Sequence, residues 1–295
     1  MNPQATPSPK KSPQPQSGLV WLASYPKSGN TWARAFLSNL ASIIDGAHER
    51  LDINSIGRYS IGENFTQFYT ERLGFAPTGS EEHRERIAAL RHAVQREEIA
   101  DKFHGLVFVK THNALAIDRG HSIINFAVTS GAVYIVRNPL DVAISLSHHL
   151  NKSIDEAIAI MGSLVETAVN EKRVHEVWDS WSNHVLSWTR KPHQAIHVMR
   201  YEDMLSDPEK TFSALAQHLL LGATPKQVTK AIDWSSFDKL KGEEKKGGFN
   251  EKPDHAERFF REGRAGQWRE ILTSTQVDQI VKDHGEQMTR FGYLP

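Results

Sequence analysis

Four short apolar runs punctuate the chain: Leu19–Ala23, Gly105–Val109, Gly131–Val136 and Ala195–Arg200. Each is too short for a helix and suits a buried strand. Between them the apolar period lengthens. Trp32, Phe36, Leu37, Leu40, Ile43 and Ile44 share one helical face. Ser80 opens an amphipathic, largely exposed helix to about residue 100, with Glu81 and Glu82 in its first turn and a narrow stripe at Ile87, Leu90 and Val94. Residues 152–190 read as helical on two faces, one through Ile154, Ile158 and Met161, the other through Val174, Val177, Trp181 and Val185. A further helix is predicted from about Pro208 to Leu221. Strands alternating with helices imply an α/β chain: one domain with a central, mainly parallel sheet flanked by helices. Residues 45–80 are loop-rich, and their aromatics (Tyr59, Phe65, Phe68, Tyr69, Phe75) suit either core packing or an apolar acceptor pocket. Trp178, Trp181 and Trp188 are read as core. Residues 241–256 lack any hydrophobic pattern and read as a mobile loop of the kind that acts as a lid.

Composition narrows the function. The chain has 295 residues, with Lys+Arg and Asp+Glu balanced at 35 each. No global basic field points to nucleic acid, so any anion must be met by local positive sites. Cysteine is absent, which excludes disulfides and thiolate metal sites. His148, His149, His175 and His184 have no metal-ligand spacing with carboxylates and are read as surface or packing residues, so no metal is expected. Residues 1–17, rich in Pro, Gln and Ser, are expected to form a disordered tail before a domain at 18–295. They hold no apolar core of a secretory signal, and no run approaches the roughly 20 apolar residues that span a bilayer.

The first strand leads into Ser24-Tyr25-Pro26-Lys27-Ser28-Gly29-Asn30-Thr31 and then a helix. A helix opening after such a loop aims unpaired N–H groups and its positive dipole end at whatever sits there. Lys27 adds a charge, Ser28, Asn30 and Thr31 add donors, and Gly29 permits close approach of the backbone. This is an anion site, most simply for phosphate; the plain alternative is an ordinary turn with a surface lysine. The G-x-x-x-x-G-K-[ST] pattern of nucleoside triphosphatases is missing. Instead Tyr25–Trp32 resembles the 5'-phosphosulfate loop of sulfotransferases that use 3'-phosphoadenosine 5'-phosphosulfate (PAPS) and release 3'-phosphoadenosine 5'-phosphate (PAP).

Other pieces of that family follow in order. Lys110-Thr111-His112 at a strand end resembles the segment holding the family's general base, which implies that role for His112. Val136-Arg137-Asn138-Pro139-Leu140-Asp141 through Ser145 resembles the 3'-phosphate motif, and the matching grips are Arg137 and Ser145. Arginine suits phosphate because its planar fork donates paired hydrogen bonds. Tyr201-Glu202-Asp203-Met204 after the fourth strand resembles a segment whose tyrosine, here Tyr201, approaches the adenosine. Trp234–Lys241 resembles the segment that closes over adenine, with Ser235 and Phe237 as contacts and Trp32 on the other face. Arg261-Glu262-Gly263-Arg264-Ala265-Gly266-Gln267-Trp268 resembles R-K-G-x-x-G-D-W, which returns to the 3'-phosphate through Arg261 and Gly263. Glu262 stands where the family has lysine, and Arg264 is a candidate compensating cation. Arg269, Thr273 and Asp278 partly match a dimer motif and leave a homodimer open.

The resemblance implies a P-loop-like sulfotransferase fold over nearly the whole chain and PAPS as co-substrate. It further implies Lys27 and Lys110 as charge-stabilising catalytic residues beside His112, and a cytoplasmic enzyme with no membrane span. Ser28, Gly29, Asn30 and Thr31 would hold the 5'-phosphate, and Lys27 would meet its leaving oxygen. The acceptor expected from the aromatic supply is small and apolar or aromatic, with a hydroxyl or amine. Two alternatives stay open: a P-loop-type nucleotide or small-molecule kinase, and a PAP-binding protein without catalysis.

Overall fold

The computed structural model describes residues 18–103 and 105–295, so the expected tail at 1–17 lies outside the described residues. Among the described residues seven strands form: β1 (Gly18–Ser24), β2 (Ser60–Gly62), β3 (Leu106–Thr111), the short pair β4 (Ile117–Asp118) and β5 (His121–Ser122), β6 (Thr129–Val136) and β7 (Ile196–Arg200). The four apolar runs are β1, β3, β6 and β7. With β2 they make one parallel sheet in the order β2-β3-β1-β6-β7. The three-residue edge strand β2 has no alternation long enough to read from sequence.

The strand period sorts side chains into two cores. Leu19, Trp21 and Ala23 of β1 join Ala132, Tyr134 and Val136 of β6 on one face. Val20 and Leu22 join Val133 and Ile135 on the other. The second face is covered by α1 (Asn30–Ile44) and later helices. Two helices follow α1 near the β2 edge: α2 (Gln67–Leu73) and α3 (Glu81–Ala93). The first face is covered by α4 (Pro139–Leu150), α5 (Ile154–Met161) and α6 (Trp181–Thr189). After β7 come α7 (Tyr201–Ser206), α8 (Pro208–His218), α9 (Pro225–Trp234) and α10 (Phe237–Gly247). Of these, α8 and α9 complete the second layer. The chain ends in α11 (Trp268–Ile271) and α12 (Ser274–Phe291), and α12 returns to the first face.

Two sequence expectations change. The predicted continuous helical stretch at 152–190 is broken: residues 162–180 carry no helix and are pinned by isolated antiparallel bridges, Phe65 to Arg173 and Glu166 to Val177. Val174 and Val177 are still buried, so the apolar spacing marked burial, not helix. The predicted loop at 241–256 is helical to Gly247 and irregular only from Gly248. The whole of α10 buries just Leu240 and Glu244, too few apolar positions to show a period.

β1 lies between β3 and β6, both later in sequence, so the sheet order switches direction at its carboxyl end. That is where open α/β sheets bind ligands. No helix among the described residues is long and apolar enough to cross a membrane.

Candidate active site

Every strand of this switch point delivers chemistry from its carboxyl end. β1 runs into the loop at 25–29, where Lys27 (φ 68) and Gly29 (φ 102) both take positive φ and turn the chain back into α1. A Cβ on Gly29 would lie 2.7 Å from the Tyr201 ring, so glycine is required there for packing as well as for its backbone conformation. Asn30 donates from Nδ2 to the Leu22 carbonyl and toward Ser24 Oγ at 2.8 and 3.3 Å, which ties the first turn of α1 to the strand it leaves.

These ends border a cleft of about 900 Å³. Lys27, Gly29, Asn30, Thr31 and Trp32 line it from the first loop, Lys110 and His112 from the end of β3. Arg137 and Ser145 line it from β6 and α4, Tyr201 from α7. Phe237, Arg261 and Gly263 close it from the far side. Two expected contacts do not line it. Ser28 is buried beneath the loop, its hydroxyl without a partner. Ser235 is fully buried and its hydroxyl donates to the Ala231 carbonyl at 2.7 Å, inside its own helix end.

His112 is held in one tautomer. Its Nδ1 lies 2.8 Å from the Ser24 carbonyl, which can only accept, so Nδ1 carries the proton and Nε2 keeps a free lone pair. Its backbone N–H donates to Glu176 Oε1 at 3.1 Å, and its carbonyl accepts from His184 Nε2 at 3.2 Å. Burial, then the charge of Lys110, pushes the His112 pKa down to about 3, so the ring is neutral at working pH.

Positive charge converges on the cleft. Burial, then Arg137, Lys110 and Arg261, pushes the Lys27 pKa down to about 7, and its Nζ sits 4.2 Å over the Phe259 ring. Arg137 donates to the Lys27 carbonyl at 2.9 Å and packs 4.3 Å over Tyr201, leaving its Nε unpartnered. Trp32 lies edge-on to Tyr201 with ring centroids 6.0 Å apart, and its indole N–H is also unpartnered. A Cβ on Gly263 would fall 2.4 Å from Phe237. The Arg261 to Gly263 turn must therefore carry glycine to lie against that ring. Crowded cations, orphaned donors and stripped glycines fit a ligand with two separated phosphate-like groups around a flat ring.

One residue at the centre of this site carries no motif. Glu251, in the irregular segment after α10, accepts from Lys110 Nζ at 3.0 Å and from Arg34 Nη1 at 2.7 and 3.0 Å. Arg34 in turn donates from Nε to Ser60 on β2 at 2.8 Å. Lys110 and Arg34 hold the Glu251 carboxyl well below the usual carboxylate range. It is one of several charges in a pattern-free stretch, and nothing in the sequence singles it out.

The departures from the family's phosphate element also resolve. Arg264 is exposed and forks onto Glu270 at 2.9 and 2.8 Å, so it is not the compensating cation expected from sequence. Glu262 is exposed at the cleft rim, 4.0 Å from Arg264. The segment is fastened by Asp141, whose carboxylate accepts from the backbone N–H of Gly266 and Trp268 at 2.6 and 3.1 Å. Glu244 adds bonds to the N–H groups of Phe259 and Phe260 at 2.5 and 2.9 Å. Arg269, Thr273 and Asp278 are exposed, and Thr273 caps α12.

Known proteins share this fold. The sulfotransferase domain model matches residues 18–292. Sulfotransferase 1B1 of Canis lupus familiaris is 24% identical over 277 residues, covering 92% of this chain and 83% of the relative. Flavonol 3-sulfotransferase of Flaveria bidentis is 26% identical over 293 residues, covering 93% and 83%. A mouse sulfotransferase solved in complex with PAP superimposes with a TM-score of 0.60 at 19% identity, over 92% of this chain and 85% of that one. Retinol dehydratase in complex with retinol and PAP gives 0.60 at 20%, over 92% and 82%. The match over nearly all of the described chain makes this protein a member of the sulfotransferase family, an enzyme of PAPS-dependent sulfuryl transfer.

Proposed function

We propose that the cleft at the end of β1 takes the sulfuryl donor and that His112 is the general base toward a small acceptor. The observation that carries this is the pairing of a neutral His112, its Nε2 free, with Lys27 and Lys110 in the same cleft. PAPS supplies an activated sulfuryl group and leaves as PAP. Both the mouse and the retinol dehydratase structures were solved with PAP.

His112 takes the acceptor proton at Nε2 while the Ser24 carbonyl holds the ring in place. Lys27 and Lys110 set positive charge where negative charge develops, a stabilisation strongest in a cleft shielded from water. Glu251 keeps the Lys110 ammonium aimed and charged. The amino-terminal N–H groups of α1 with Asn30 and Thr31 take the 5'-phosphate; Ser28, buried beneath the loop, supports it from behind. Arg137, Ser145 and Arg261 take the 3'-phosphate, which separates PAPS from ATP. Trp32, Tyr201 and Phe237 bracket the purine; Ser235 enters this reading only as a support for the end of α9. With a relative named cytosolic sulfotransferase in Arabidopsis thaliana, we assign the chain to the cytoplasm. The exposed Arg269, Thr273 and Asp278 are the surface to test for a homodimer.

Replacing His112 tests the reading. His112→Ala should lower kcat by roughly 10²–10⁴-fold, the range of a lost general base, with PAP affinity nearly unchanged. Equal losses in both would sink the assignment. PAP should raise the melting temperature, about 2.7 kcal/mol of stabilisation at 100 times Kd, and ATP with magnesium should not. A larger shift with ATP would favour a kinase.

A further inference from the structure

The two flanks of the cleft are chemically unlike. The donor flank carries the aromatics, Trp32, Tyr201, Phe237 and Phe259. The flank past His112 is built from the irregular 162–180 segment and the second half of α4. It presents His149, Asn170, Lys172, Arg173 and Glu176, with Ile144 and Trp178 its apolar members. None of Tyr59, Phe65, Phe68, Tyr69 or Phe75 lines the cleft. Phe65 instead backs Arg173, whose guanidinium lies 3.8 Å over its ring, and Tyr69 is fully buried.

Three observations say what this flank lacks. The Trp178 indole N–H and His149 Nδ1 are buried and have no hydrogen-bond partner. Burial, then the nearby Lys27, pushes the His149 pKa down to about 3, so the ring is a neutral donor and acceptor. Glu176 gives one carboxylate oxygen to the His112 N–H, which sets that carboxylate beside the expected point of transfer. Among the described residues neither Lys172 nor Arg173 forms an ion pair; Arg173 donates only a long bond to the Asn64 side chain, at 3.4 Å. An apolar acceptor would cover the Trp178 N–H and His149 Nδ1 and leave both unpaired. A site built to hydrogen-bond its substrate rejects the analogue that lacks the groups, far more strongly than an apolar pocket rejects an extra hydroxyl.

Resting on the donor-site reading above, we propose that the acceptor is a small polyhydroxylated molecule bearing a carboxylate, of the sugar-acid kind, and not an apolar phenol or sterol. Hydroxyls meet the Glu176 carboxylate, His149 and the Trp178 N–H. The acceptor's carboxylate meets Lys172 and Arg173 at the open end. This departs from the flavonol and hydroxysteroid in the names of two relatives.

The experiment measures kcat/KM of the full chain with PAPS against methyl glucuronide, methyl glucoside and 2-naphthol, with PAP binding followed separately by thermal shift. The expected order is glucuronide, then glucoside, then naphthol, with the sugars ahead of naphthol by roughly 100-fold or more. Arg173→Gln should cut the glucuronide-to-glucoside ratio about tenfold, the effect of one charge-assisted bond, at unchanged PAP affinity. His149→Phe should cut the sugar-to-naphthol ratio about tenfold for both sugars. Naphthol equal to or ahead of the sugars, glucoside ahead of glucuronide, or no sugar turnover while PAP still binds, each overturns the proposal. Loss of PAP binding itself would overturn the donor-site reading instead.

Discussion

The loop at 25–29 and the segment at 248–267 face each other across the cleft and are built in opposite ways. The loop is set by its neighbours in sequence. A buried strand delivers it, Gly29 and Lys27 turn it, and Asn30 ties it back to Leu22 eight residues away. The segment has no regular structure of its own and is held by carboxylates at a distance. Asp141 holds Gly266 and Trp268, Glu244 holds Phe259 and Phe260, and Glu251 reaches Arg34 and Lys110. Both deliver cations to one cleft, Lys27 from the loop and Arg261 from the segment. Local geometry makes the motif of the loop; the long-range fastening of the segment through Glu251 is announced by no motif.

The largest expected effect lies on the loop. Lys27→Met should lower kcat/KM by roughly 10²–10³-fold, the size of a lost preorganised charge donor. It should also stabilise the empty protein. The folded-state pKa of Lys27, about 7, lies below its ordinary 10.5, so the folded chain binds fewer protons than the unfolded chain between those values. Stability of the empty wild type therefore rises with pH across that window, and the cost of Lys27 is full below it. Melting temperatures should show Lys27→Met ahead by a few degrees near pH 6, an advantage that fades toward pH 10. The same shift predicts that PAP binding draws in about one proton near pH 8 and almost none near pH 6. Calorimetry in buffers of different ionisation enthalpy checks this, and equal uptake at both would place the proton elsewhere.

The next effect lies on the segment. Glu251→Gln leaves Arg34 buried without its carboxylate. Breaking a fully buried pair costs roughly 3–5 kcal/mol; Glu251 keeps 23% of its side chain exposed, so about 2 kcal/mol is expected in denaturant unfolding. Loss of Glu251 also removes the charge that raises the Lys110 pKa. The alkaline limb of the kcat profile should move to lower pH. An unmoved limb would mean that Glu251 fastens the segment without tuning Lys110.

The smallest effect is at Ser235. Its hydroxyl is bound inside its own helix end, so Ser235→Ala should change PAP affinity by less than about twofold, within the few tenths of a kcal/mol of a neutral local bond. A tenfold loss would mean that the serine turns toward the nucleotide when it binds.

The sheet was readable because its strands are apolar on both faces and its helices stripe at their own period; β2 was not, being three residues at an edge. Of the site, Lys27, Lys110, His112, Arg137 and Arg261 stood in recognisable words at strand ends or turns. Glu251, His149, Arg173 and Glu176 did not, since nothing local distinguishes them from solvated charges or a packing histidine. The break at 162–180 shows the same limit: burial at Val174 and Val177 mimics a helical face although bridges to Phe65 and Glu166 hold the chain extended.

By itself the sequence determined what depends on near neighbours: the strand–loop–helix unit at 18–44, the α/β alternation and the order of the family's segments. Apolar period, glycine conformation and helix capping act within a few residues. Tertiary structure alone decided which carboxylate meets Lys110, that Arg264 turns away to Glu270, and that the flank past His112 is polar. Lys110 and Glu251 are 141 residues apart, His112 and Glu176 are 64 apart and Arg264 and Glu270 only six; in each case burial and distance, not pattern, set the energy.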